Sequence, residues 1–347
     1  LCPYRYPKQK DWGWYIYYDL SAFGRCNTLE EVTIGGYATE IQPCEFILTP
    51  ALHTVNVNVS LNAVGDKAFH HCEKLQIINL PEGVVTIGNR AFEFCKAIKN
   101  IDFPSTLQLI DEYAFASCES LESLTIPASV GSLGLASFAA CTSVKEVTLE
   151  DGPNELVLPY GSEGGSNGFF TNMPLEKAYI GRPYSHPETG WAGYRTGAFT
   201  RCAKLKEVRF GNYVTKVLTG DFMELHELQT VDFPSSLESI GDFGFTACEK
   251  LNAITCPATT PPACGNYVFS DTDKQTCKLY VLGESIESYK EANVWKEFFN
   301  IEVGIHRLTK DAMFKDGNFY DLLGRKMNSQ TIGKGLYINN GKKMIVR

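Results

Sequence analysis

The 347 residues contain no Cys-x-x-Cys pair, although twelve cysteines are present. The spacings of zinc sites are therefore missing, and cysteine must serve another purpose. No apolar run approaches the roughly 18 residues of a membrane-spanning helix. Positive charge is in deficit, with 32 Lys and Arg against 40 Asp and Glu and a formal net charge of −8. That balance argues against a nucleic-acid partner, because phosphate binding needs a positive footprint. Gly-x-Ser-x-Gly, His-Glu-x-x-His and phosphate-loop patterns are absent as well. Carboxylates are plentiful but scattered, so no pair for acid–base work stands out. The sequence points to a non-enzyme with no cofactor. The chain opens at Leu1 rather than Met, which fits the removal of an N-terminal segment such as a secretory signal.

What is present is a repeat. Cys72, Cys95, Cys118 and Cys141 follow one another at intervals of 23, and internal periodicity takes precedence over any local motif. Phenylalanine is the better ruler: Phe23, Phe46, Phe69, Phe92, Phe115 and Phe138 keep the same interval. Phe169 and Phe199 come after 31 and 30 residues, Phe222 and Phe245 after 23 each, and Phe269 after 24. Six positions beyond each Phe from Phe23 to Phe245 stands Leu, Ile or Val, as in Leu29, Ile98, Val144 and Leu251. Nine and eleven beyond, apolar residues recur with polar ones between them, as in Val32 and Ile34 or Leu124 and Ile126. Alternation of that kind predicts a half-buried strand. Pro often follows, at Pro81, Pro104, Pro127, Pro234 and Pro257, where a missing N–H does least harm. A second apolar pair comes next, as in Leu107 and Ile110, and then a turn or short helical stretch around Ala-Phe-x-x-Cys. Such a unit cannot bury its apolar face alone and must stack on its neighbours.

The pattern resembles the leucine-rich-repeat proteins of the BspA-like, Treponema pallidum type, found on bacterial cell surfaces and in some protozoa. Stretches such as Ile87-Gly88, Ala91-Phe92, Cys95, Ile98, Ile101 and Phe103-Pro104 fit it almost position by position. The resemblance covers about residues 21–302. It implies a leucine-rich-repeat solenoid of about ten to eleven coils, mostly β with short helical turns. Thr259-Thr260-Pro261-Pro262, Leu279-Tyr280-Val281 and the segment from Ser288 to Lys296 look like the family's closing unit. Ile286, Tyr289, Ala292 and Trp295 fall on one helix face that could cover the last coil. Residues 1–20 are then an N-terminal segment or cap, and 303–347 a small β module. The Asn340-Gly341 pair in that module signals a hairpin. Its Tyr-Asp-Leu-x-Gly-Arg and Gly-x-Tyr-Ile motifs resemble a short C-terminal module of exported Bacteroidetes proteins. In longer relatives that module serves sorting or attachment at the outer membrane.

The repeat loses step twice. Eight extra residues enter within 150–167 and seven within 181–197, both after the strand at the same phase. The insertions carry Tyr160 in the first and Tyr184, His186, Trp191 and Tyr194 in the second. Insertions in a solenoid often map to a binding face, and exposed Trp and Tyr are good anchors. The plainer reading is a pair of surface loops whose aromatics fold back on the core. A second candidate is the strand face, whose two columns of outward residues are mostly small and polar before the insertions. Next to the insertions they include Lys177, Tyr179, Glu207 and Arg209. An ordinary solvated sheet face explains these residues equally well.

The cysteines at the repeat position, Cys26, Cys72, Cys95, Cys118, Cys141, Cys202 and Cys248, read as reduced and buried. Coils lie about 4.8 Å apart, and parallel Cβ vectors suit a disulfide poorly. Thr49, Asn172 and Leu225 replace Cys at the same position, which metal or redox chemistry would not permit. Cys2, Cys44, Cys256, Cys264 and Cys277 are less clear; a Cys264–Cys277 bond is one possibility, and Cys2 could mark a lipid-anchor region. His70-His71-Cys72 invites a metal reading, but adjacent histidines rarely converge on one ion.

The function expected from the resemblance is adhesin-like recognition of a protein or glycan by an exported monomer at the cell surface or outer membrane. A structural spacer without a ligand is the first rival, and an enzyme with a site in the insertions at 150–197 the second. Fold alone does not choose among them.

Overall fold

The computed structural model describes residues 21–159, 169–170, 173–186, 197–308, 319–320, 326–327, 335–339 and 342–346, with side chains up to residue 304. The chain divides into two compact units. One comprises Leu1–Val147 with Leu156–Pro174, the other Thr148–Glu155 with Leu175–Arg347. The division falls where the Phe ruler loses step.

In the first unit the alternating apolar residues form parallel strands one repeat apart. Glu31–Ile34 pairs with Thr54–Val57, and Thr54–Val57 with Ile77–Ile78. A second ladder is built from the later apolar pairs: Glu40–Ile41, Ala63–Val64, Thr86–Ile87, Leu109–Ile110, Ser132–Leu133 and Leu156–Val157, each parallel to the next. The register advances by 23 residues per coil until the insertion, after which Ser132 meets Val157. The second unit repeats the scheme. Lys177–Ile180, Glu207–Phe210, Thr230–Asp232, Ala253–Thr255, Lys278–Leu282 and Asn300–Leu308 pair in parallel, in that order. Its shorter ladder holds Lys216–Val217, Ser239–Ile240 and Ala263–Cys264. The leucine-rich-repeat solenoid expected from the sequence is the observed fold, with about eleven turns and little helix.

Phenylalanine sits at the centre of each coil. In the first unit the rings stack from Phe23 through Phe46, Phe69, Phe92 and Phe115 to Phe138, with centroids 4.9–5.4 Å apart. Phe199, Phe222, Phe245 and Phe269 stack likewise in the second, with centroids 5.1–5.7 Å apart. Each fully buried ring contributes about 1.5–3 kcal/mol of apolar burial.

The Ala-Phe-x-x-Cys segment is a run of tight turns, with no helix there among the described residues. Two residues per turn, two before and two after the Phe, take left-handed backbone: Lys67 and His71, Arg90 and Phe94, Tyr113 and Ser117. Each costs on the order of 1–3 kcal/mol in a residue other than glycine. The return is a hydrogen-bond ladder in which backbone N–H groups alternate in direction. Lys67, Phe69 and His71 donate to Asn89, Ala91 and Glu93 of the next coil at 2.7–2.8 Å, while Ala68, His70 and Cys72 close turns within their own coil. In the coils of Phe46, Phe69, Phe92 and Phe115 the N–H of the Phe and those two before and two after it all find an acceptor in the next coil.

The closing segment is as expected in outline. Ile286–Glu291 is a short helix, and Trp295 follows in a separate 3-10 turn. Tyr289 and Trp295 are fully buried, whereas Ile286 and Ala292 stay half-exposed. The Tyr289 hydroxyl donates to the Ala258 carbonyl at 3.1 Å, and the Trp295 indole N–H to that of Pro262 at 2.8 Å. The strand Asn300–Leu308 runs through residue 303 without a break. Its far end, His306–Leu308, pairs with Met344–Val346. The C-terminal strands thus continue the sheet of the second unit. Gly335–Asn339 and Lys342–Val346 pair antiparallel on either side of the Asn-Gly signal.

Candidate functional site

Two groups of side chains in the second unit meet the residues singled out from sequence. The first lies on the strand face. Parallel pairing sets Lys177 beside Glu207 and Tyr179 beside Arg209, with Thr230 and Asp232 on the following strand. The Arg209 guanidinium contacts the Glu207 carboxylate and lies 3.7 Å from that of Asp232, which is almost fully buried. Beside it, Glu176 accepts an ion pair from Lys206 at 2.9 Å. Lys177 is exposed. Opposite charges alternate across this patch, so its field is short-ranged.

Tyr179 lies flat rather than projecting. Its exposure is 9%, and its hydroxyl donates to Asp151 Oδ1 at 2.8 Å. Glycine makes this possible. A Cβ on Gly211 would sit 2.8 Å from both the Tyr179 hydroxyl and the Gly181 Cα, closer than real contacts allow. Arg182, next to Gly181, is fully buried. Burial lowers its guanidinium to about 10, and the Glu150 carboxylate opposes that shift.

The second group is centred on Asp221. Its carboxylate is fully buried and collects four donors. Oδ2 accepts the Tyr184 hydroxyl at 2.5 Å and the Leu218 N–H at 3.2 Å; Oδ1 accepts from His186 Nε2 at 2.9 Å and the Ala198 N–H at 3.0 Å. Burial and the neighbouring Asp221 carboxylate push the Tyr184 hydroxyl well above its ordinary pKa, so it remains a donor. The strand Tyr184–Ser185, at the start of the second insertion, is thereby pinned to the coil that contains Asp221. The expectation that Tyr184 offers an exposed aromatic contact is corrected: only 5% of it is exposed, because its hydroxyl satisfies a buried carboxylate.

Family models for the BspA type leucine-rich-repeat region match residues 16–145, 62–180 and 195–317, in six copies. The chain belongs to the BspA-type leucine-rich-repeat family. Among solved structures, it is similar to a leucine-rich-repeat protein from Bacteroides ovatus at 17% identity and a TM-score of 0.34, over 79% of this chain and 91% of that one. It is also similar to the pneumococcal vaccine antigen PcpA, at 22% identity and 0.35, over 76% of each chain. A third is the Treponema pallidum protein TpLRR, at 22% and 0.32, over 64% of this chain and 82% of that one. No curated protein sequence matches the chain.

In this BspA-type chain the cysteines at the repeat position work as donors. Cys72, Cys95, Cys118 and Cys141 each give their S–H to the carbonyl of the Phe one coil back, at 3.1–3.4 Å, and Cys248 does so to Phe222 at 3.3 Å. Thr49 makes the same bond to Phe23 at 3.1 Å, which explains why a hydroxyl can replace the thiol there. Burial pushes the thiols of Cys72, Cys141 and Cys248 up to about 12. One expectation is corrected: Cys26, in the first described coil, is half-exposed, because no described coil precedes it. Cys264 and Cys277 are both free thiols.

His70, His71 and Cys72 point to three different partners. His70 Nε2 lies 3.0 Å from the Glu93 carboxylate, His71 stacks on the Phe94 ring at 4.3 Å, and Cys72 donates to Phe46. Burial pushes the Glu93 carboxyl up, but hydrogen bonds from His70 and Arg90 outweigh it and hold the group below its ordinary value. Among the described residues no three ligand-type side chains are grouped to hold a metal.

Of the eight residues singled out for binding, Lys177, Tyr179, Glu207 and Arg209 come together on the strand face, and Tyr184 lies in the Asp221 group. Tyr160, Trp191 and Tyr194 lie outside the described residues. Asp221 escaped the sequence reading. Its local signal is Gly220-Asp221-Phe222, where five of the eight preceding units have Ala before Phe.

Proposed function

We propose that this BspA-type chain is an exported, monomeric recognition protein that binds a protein or glycan at the cell surface. The contact surface is the strand face of the second unit around Lys177, Glu207 and Arg209. The observation that carries the reading is the register that sets these side chains on neighbouring strands of an extended sheet, the surface solenoids commonly use for macromolecules. Tyr179 and Asp151 brace that surface from one side, and the Asp221 group holds the adjoining insertion. Export is consistent with cysteines that are buried at nine of the eleven described positions, hence slow to oxidise in a disulfide-forming compartment. No helix among the described residues is long and apolar enough to cross a membrane.

The mix of opposite charges favours a protein or neutral glycan over a polyanion. The test is surface plasmon resonance of the full chain against immobilised matrix proteins and a neutral glycan panel. Saturable binding that Lys177→Glu weakens by about tenfold or more supports the reading. Binding unaffected by Lys177→Glu would move the contact elsewhere.

A further inference from the structure

In the second unit the turn ladder ends at the coil of Phe269, and its last rung is open. In the two preceding coils, those of Phe222 and Phe245, the N–H groups two before the Phe and two after it donate to the next coil, as Phe243 does to Asn266 at 2.8 Å and Ala247 to Ser270 at 3.0 Å. Among the described residues the corresponding N–H groups of Tyr267 and Asp271 have no hydrogen-bond acceptor. Both residues hold left-handed backbone, the same conformation that aims the other rungs toward a following coil. The Tyr267 ring stands at the same end. One of its faces stacks on Phe243, with centroids 5.4 Å apart and planes 15° apart, and the side chain is 66% exposed. Further back along the chain, Tyr113 occupies the same position, and there the Arg90 guanidinium covers the ring at 4.3 Å. Among the described residues no guanidinium covers the Tyr267 ring.

An aromatic face beside two unpaired backbone donors is an arrangement with a definite chemical preference. A pyranose ring presents a flat face of C–H groups that packs on an aromatic surface. The N–H donors call for an acceptor, and where the ladder continues, as from Phe243 and Ala247, that acceptor is an amide carbonyl. The exposed Asp271 carboxyl adds an acceptor for sugar hydroxyls. We infer that the Tyr267–Asp271 end of the turn ladder is a binding site for an N-acetylated hexose, whose ring stacks on Tyr267 and whose acetamido carbonyl accepts one of the open N–H groups. This site lies apart from the Lys177–Arg209 strand face, and neither reading depends on the other.

The experiment is saturation-transfer NMR on the full chain with N-acetylglucosamine, N-acetylgalactosamine and glucose, followed by titration. At least one N-acetylated sugar receives saturation at its acetyl methyl and ring protons, and glucose binds about tenfold more weakly or not at all. Tyr267→Phe keeps the binding, and Tyr267→Ala weakens it by about tenfold or more. Folding is not at risk in the alanine variant, because Ala136 holds the same backbone conformation at the equivalent position of another coil. Absence of transfer from both N-acetylated sugars, or equal binding by Tyr267→Ala, overturns the site. Glucose binding as tightly as the N-acetylated sugars overturns the role of the acetamido carbonyl.

Discussion

The Cys95 thiol donates a hydrogen bond to the carbonyl oxygen of Phe69, one coil back and 3.2 Å away. That carbonyl already accepts the N–H of Cys72 at 2.9 Å, so the thiol fills its second lone pair. The residue most suggestive of chemistry is therefore a small, buried donor that ties one coil to the last. Cys95→Ala should lose a net bond of about 1 kcal/mol plus a small cavity. Cys95→Thr should lose less, since Thr49 already fills the position in another coil. Urea denaturation of the two variants checks the order; an alanine variant as stable as the parent would contradict it.

Thiol burial also has a pH signature. Folding raises the pKa of Cys72, Cys141, Cys248 and Cys256 from an ordinary value near 9 to about 12. The folded state keeps the proton, so the stabilisation is complete below about pH 9 and is lost as pH rises toward 12. Stability measured in urea should fall steadily over that window, and native-state alkylation at about pH 8 should reach half-exposed Cys26 before any of these four. Rapid modification of Cys95 or Cys118 in the folded protein would refute the ladder.

The Phe ruler, the strand positions and the closing aromatics were all legible in the sequence, because each repeats at a fixed phase and each is driven by apolar burial. Left-handed backbone at Lys67, Arg90 or Tyr113 was not legible, since nothing in those side chains announces it; the conformation is imposed by coil-to-coil hydrogen bonds. The same holds for Tyr184 and Asp221. An exposed aromatic and a buried one look alike in an irregular insertion, and the partner that decides between them is 37 residues away.

Asp221 should be the most sensitive polar residue of the second unit. Asp221→Ala strands a tyrosine hydroxyl, a histidine ring nitrogen and two backbone N–H groups, at a cost of about 3 kcal/mol or more. Hydrogen exchange should speed up first at Tyr184–His186. Unchanged exchange there would mean that Asp221 does not hold the insertion.

Gly211→Ala tests the brace beneath the strand face. Its methyl would meet the Tyr179 hydroxyl, the Gly181 Cα and the Asp151 carboxylate together. The variant should lose about 1–3 kcal/mol from overpacking. A change within 0.5 kcal/mol of zero, roughly the scatter of neutral surface substitutions, would show that the three glycine-lined contacts can yield.

The central claim is recognition through the second unit, and one comparison tests it most directly. The wild-type chain and Lys177→Glu would be passed over immobilised matrix proteins and neutral glycans in the same resonance experiment. The account predicts saturable wild-type binding to at least one of them and a loss of about tenfold or more in the variant. No binding to any of them by the wild-type chain, or equal binding by both proteins, would contradict it.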